Sequence, residues 1–89
     1  MARFDIATHD LVGMVSQGGT PDALFELGMM YCSGRDGAPD LIEAHKWFNL
    51  AALRGNDAAK QYRAEVSREM SRIEIARAQK LARDWLSRH

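Results

Sequence analysis

The chain has 89 residues, 46% of them hydrophobic, and its 12 basic side chains balance 12 acidic ones. That length allows one small domain, with residues 1–89 forming a single unit, and the apolar content is too high for a disordered segment. The charge is unevenly placed, because residues 1–59 hold four basic and eight acidic side chains and residues 60–89 hold eight basic and four acidic ones. Such a split favours internal complementarity or head-to-tail contacts.

Helix signals follow one another along the chain, and strand signals are nearly absent. The spacing of Ile6, Leu11, Val12 and Val15 predicts a helix from about Asp5 to Gln17, ended by Gly18 and Gly19. Thr20 as N-cap and Pro21 at the first helical position open a second helix that Gly34 stops after Ser33. Beyond a loop of Arg35 to Pro39, Asp40 with Glu43 forms a capping box for a third helix that ends at Gly55. Asn56 or Asp57 starts a fourth helix, with Ala59, Tyr62, Val66 and Met70 at helical spacing. Ser71 and Glu74 make another capping box, and Ile75, Ala78, Ala82, Trp85 and Leu86 form the stripe of a fifth helix. The expected fold is all-α: an antiparallel helix-hairpin stack, a short α-α superhelix of about five helices.

A repeat lies beneath these elements. Gly19 and Gly55, Ala23 and Ala59, Gly28 and Ala64, Leu11 and Trp47, Val12 and Phe48, and Val15 and Ala51 pair at an offset of 36 residues. A fixed period in this range marks stacked helix pairs, each of which buries a face only against its neighbours. Gly28 falls inside a helix, where it costs about 0.5 to 1 kcal/mol relative to Ala, and close approach of a neighbouring helix is the natural compensation. Ala44, Ala51 and Ala52 thin the facing helix around Trp47 and Phe48, so that large and small side chains interdigitate. At an offset of 38, Ala44 matches Ala82, Trp47 matches Trp85 and Phe48 matches Leu86, which gives the last unit a different loop length.

Taken together, Leu27-Gly28, Tyr31, Gly34, Asp40, Ala44, Trp47, Ala51-Ala52, Gly55 and Ala59 closely resemble the repeat of the Sel-one-like family, a branch of the tetratricopeptide-type helical repeats. The resemblance covers about 40% of the chain as one full unit, residues 20–55. Residues 1–19 then read as a degenerate preceding helix, and residues 56–89 as a partial repeat with a terminal capping helix. The family's usual glycine-valine loop after Gly34 is here Arg35-Asp36-Gly37-Ala38-Pro39. What the resemblance implies is a right-handed superhelix that serves as an adaptor in protein complexes, with no cofactor and no chemistry of its own. It further implies that the first helix of each pair lines the concave surface. The outward, partner-binding positions would be Phe25 and Met29, with Cys32, on one turn of the superhelix, and Gln61, Glu65 and Arg68 on the next. Periodicity agrees for the first set, since Leu24, Leu27, Gly28 and Tyr31 fill one face and leave Phe25, Met29 and Cys32 on another. Two fates are open to these side chains: contact with a ligand, or burial beneath the first or fifth helix.

Other chemistries find little support. The basic residues from Lys60 to Arg88 are interrupted by Glu65, Glu69, Glu74 and Asp84, as on a solvated helix rather than a nucleic-acid footprint. The lone Cys32 reads as a small apolar helix residue, and no cysteine pair offers a zinc site. His9 and His45, one period apart, read as exposed helix residues and not as metal ligands. Asp36 and Asp40 lack the terminal bidentate Glu of a calcium loop. No catalytic grouping and no phosphate loop is indicated, and neither a secretory leader nor a membrane span is read, so a cytoplasmic location is expected. The function expected is therefore non-catalytic: a protein-interaction module that binds a peptide or helix of another protein on its concave face. Its alternative is a self-associating structural unit, a homo-oligomer formed through the apolar ends.

Overall fold

Four helices follow in chain order in the computed structural model, which describes residues 19–34 and 37–88: α1 (Pro21–Ser33), α2 (Leu41–Leu53), α3 (Asp57–Ser67) and α4 (Arg72–Arg88). The helix expected over about Asp5 to Gln17, together with His9, Arg35 and Asp36, lies outside the described residues. The second to fifth expected helices are α1 to α4, so the described chain is all-α.

Local chemistry sets their ends. The Thr20 hydroxyl accepts from the amide of Ala23 at 3.1 Å, with Pro21 in the first turn of α1. Gly34 closes α1 in the left-handed region at φ 64°, where a Cβ would also stand 2.6 Å from the Gly37 carbonyl oxygen and 2.7 Å from the Pro39 nitrogen. Both the torsion and the crowding therefore demand glycine there. The Asn56 side chain accepts from Ala59 at 2.9 Å to cap α3. Before α4 the expected capping box is complete, for Ser71 accepts from the Glu74 amide at 3.1 Å and Glu74 accepts from the Ser71 amide at 2.8 Å.

The box expected at α2 is only half formed. Asp40 does accept from the Glu43 amide at 3.1 Å, yet the Asp40 amide donates to the Tyr31 carbonyl and the Glu43 carboxylate turns elsewhere. It accepts the indole N–H of Trp47 at 3.1 Å and pairs with Lys46 at 3.3 Å. A charge-assisted bond to a largely buried indole replaces the second cap bond.

Packing is organised around α2, which meets α1, α3 and α4. Its Phe48 is fully buried against α1 and α3, with ring centroids 5.7 Å from Phe25 and 5.6 Å from Tyr62. A Cβ added to Gly28 would stand 2.5 Å from two carbons of the Phe48 ring, so the glycine is what allows this ring to lie over the α1 backbone. On another side of α2, Trp47 meets Trp85 of α4 edge-on, with centroids 5.8 Å apart at 78°, and Ala44 and Ala82 are both buried. Of the pairs related by the 38-residue offset, Trp47 and Trp85 thus come together in space. The 36-residue match of Gly28 with Ala64 has no such counterpart. Ala64 is exposed and Leu86 is 39% exposed, because α4 docks on α2 instead of closing a second tight hairpin against α3.

His45 departs from its expected exposure. It is 3% exposed, its Nδ1 is buried without a hydrogen-bond partner among the described residues, and burial, aided by the nearby Arg63 cation, lowers its pKa from the ordinary 6.5. Arg63 itself donates to Asn49 at 2.6 Å, one turn along α2 from His45.

Three outcomes follow from these contacts. Gly28→Ala gains about 0.5 to 1 kcal/mol of helix propensity. It loses about 1 to 3 kcal/mol to overpacking, because Phe48 is held between Phe25 and Tyr62 and has nowhere to move. Chemical denaturation should find Gly28→Ala less stable than the native chain and Gly28→Leu worse still; equal or greater stability of the alanine variant would show that the ring can shift. Trp47→Ala should cost about 3 to 5 kcal/mol, a large share of the stability of so small a domain, and an unchanged melting curve would refute its role. For His45 the unfolded chain takes up a proton below about pH 6.5 while the folded chain resists it. Stability from this group is therefore full above that pH and is lost as pH falls towards the lowered folded value. A melting series should show a fall on acidification that is shallower in His45→Gln; parallel curves would remove His45 as its source.

Candidate functional site

The face that α1 turns to α2 is set by Ala23, Leu24, Leu27 and Gly28, all buried. Residues three and four apart share a helix side, so Phe25, Met29 and Cys32 fall together on the neighbouring side, half-buried at the edge of the core. In α3 the buried positions are Ala59 and Val66, and Tyr62 stands beside them at 37% exposure. Its ring meets Phe25 edge-on, with centroids 5.3 Å apart at 81°. Tyr62 therefore brings the apolar side of α1 against α3 and keeps part of its own surface open.

The five candidate residues are placed unequally by this arrangement. Phe25 and Met29 lie on the α1 wall, and Phe25 meets α3 through Tyr62 rather than through Gln61. Glu65 is exposed on the α3 wall and, with Glu69, lies close enough for its charge to be felt at Cys32. Gln61 and Arg68 are exposed on the same side of α3 as Glu65 but further from the buried Ala59 and Val66. Arg68 also closes α3, its amide donating to the Glu65 and Val66 carbonyls. Two residues of the groove were not among the candidates. Tyr62 had been read only as part of the core stripe, and Glu69 follows the last regular turn of α3, where helical spacing says least.

Burial and nearby carboxylates set the electrostatics beside this apolar row. Burial pushes the Cys32 thiol up from its ordinary range, and the carboxylates of Glu69 and Glu65 add to that, so the thiol stays protonated at neutral pH. Tyr31, at the end of α1, is raised by burial and by Glu43 and Asp40. Among the described residues no group of three or more His, Cys, Asp and Glu side chains is placed to hold a metal ion. No helix among them is long and apolar enough to cross a membrane.

Residues 21–56 match the family model of the Sel1 repeat, which spans α1, the connecting loop, α2 and the cap of α3. No curated protein and no solved structure matches the chain. Sel1 repeats are tetratricopeptide-like helical repeats that generally mediate protein–protein interaction. The hairpin whose crossing is set by Gly28 and Phe48 is accordingly a Sel1 repeat.

Proposed function

We propose that this chain is a non-catalytic protein-interaction module that takes a peptide or helix of a partner protein into the groove between α1 and α3. The observation that carries this reading is the half-exposed apolar row of Phe25, Met29 and Cys32, closed on its far side by Tyr62 and edged by exposed Gln61, Glu65 and Arg68. An apolar centre with a polar rim is the anatomy of a protein interface. Phe25 and Met29 supply affinity, the unbranched Met adapting to the shape of the incoming side chain. Gln61, Glu65 and Arg68 orient the ligand.

The test is selection from a displayed peptide library by the native chain and by an Arg68→Glu, Met29→Asp double variant first shown to be folded by circular dichroism. Loss of a central anchor at an interface costs about 2 kcal/mol or more, about 30-fold in affinity, so peptides enriched by the native chain should be lost by the variant. Equal enrichment by both proteins would overturn the groove assignment and direct attention to the terminal helix around Trp85 and Leu86.

A further inference from the structure

The α4 helix presents a second unusual surface. Ile73, at 76% exposure, is the most open of the large exposed hydrophobic side chains among the described residues. It stands away from Ala78, Ala82 and Trp85, the residues that dock α4 on α2. Arg72 precedes it, and Arg77 lies one turn later on the same side of the helix. Lys80, further along that side, is engaged by Asp84 at 3.0 Å, whereas neither Arg72 nor Arg77 is in an ion pair among the described residues. Ile73 is thus an exposed apolar knob flanked by two cations that make no ion pair among the described residues.

The groove between α1 and α3 has the opposite make-up. Its floor is apolar, and its α3 wall ends in Glu65 and Glu69, neither of which is in an ion pair among the described residues. One molecule therefore carries both halves of a complementary contact, on different helices. We propose that a second copy of this chain occupies the groove: Ile73 of α4 seats on Phe25, Met29 and Tyr62, and Arg72 and Arg77 meet Glu65 and Glu69. This inference rests on the groove reading given above and names an occupant for it. Groove and knob are different surfaces, so the contact is head-to-tail, and each docked copy still offers a free groove or a free knob. The area of one helix face in one groove makes a weak contact, and the paired charges make it sensitive to salt.

The experiment is sedimentation velocity on the native chain, Ile73→Asp, and Glu65→Lys with Glu69→Lys, across a concentration series at low and high salt. All three substituted positions are exposed, and circular dichroism establishes that each variant is folded. The native chain should grow in mass with concentration, and raising the salt to about 1 M, where the screening length falls to about 3 Å, should shift its association by at least about tenfold in concentration. Each variant alone should remain monomeric. An equimolar mixture of the two variants should form a dimer and nothing larger, because it contains one intact groove and one intact knob. A native chain that stays monomeric at every concentration overturns the self-docking, and leaves the use of the groove by another protein to the library selection. Association that persists in either variant alone, or a mixture that stays monomeric, also overturns it.

Discussion

The Phe48 ring lying on the backbone of Gly28 is the contact on which the rest of the arrangement depends. It sets how closely α1 approaches α2, and the same ring supports Phe25 and Tyr62 from below. Those two side chains define where the first and third helices meet. A bulkier residue at position 28 would therefore disturb the proposed groove as well as the core, since Phe25 and Tyr62 rest on the same aromatic ring as the hairpin's centre. The core and the proposed groove are coupled through Phe48.

The Trp pair does a different job. Trp47 is enclosed by Trp85 edge-on, by the Lys46 ammonium 4.1 Å from its ring centroid and by the Glu43 carboxylate on its indole nitrogen. Arg54, which also bonds the Gly19 carbonyl, lies 5.5 Å from the Trp85 ring. These contacts place α4 on the flank of α2, and α4 carries five of the eight basic side chains of the C-terminal third, all of them outside its buried Ala78, Ala82 and Trp85. Packing geometry thus turns a compositional asymmetry into a spatial one.

Much of this was legible from residue types whose physics is local. Caps at Thr20, Asn56 and Ser71 and the stop at Gly34 each follow from backbone or steric demands that act within a few residues, and the small residue at position 28 was readable because a glycine inside a helix needs a close neighbour to offset it. Trp47 and Trp85 could be paired because their offset is that of equivalent helices. What eluded sequence reading depended on distant choices. Glu43 had two competing donors, and only the position of the Trp47 indole decides between them. His45 has the polarity of a surface residue, and its burial is fixed by which flanks of α2 are covered. Ala64 matches Gly28 by period, but a small residue signals close packing only where a partner helix arrives. The placement of Phe25, Met29 and Cys32 on one side of α1 followed from spacing, while that of Tyr62 depended on how α3 settles against Phe25.

The central position of α2 also changes how the domain's parts depend on one another. In a linear array of repeats each unit leans on the next, so a break anywhere splits the array into two pieces that each retain neighbours. Here, among the described helices, α2 packs against both of its sequence neighbours, α1 and α3, and takes α4 as well, which docks on α2 rather than on α3. Opening of α4 alone exposes Trp47 but leaves the Phe25, Phe48 and Tyr62 cluster intact, whereas opening of α2 removes the shared support of all the others. Cooperativity is therefore star-shaped, with α4 a separable arm and α2 the element whose amides exchange only when the whole domain unfolds.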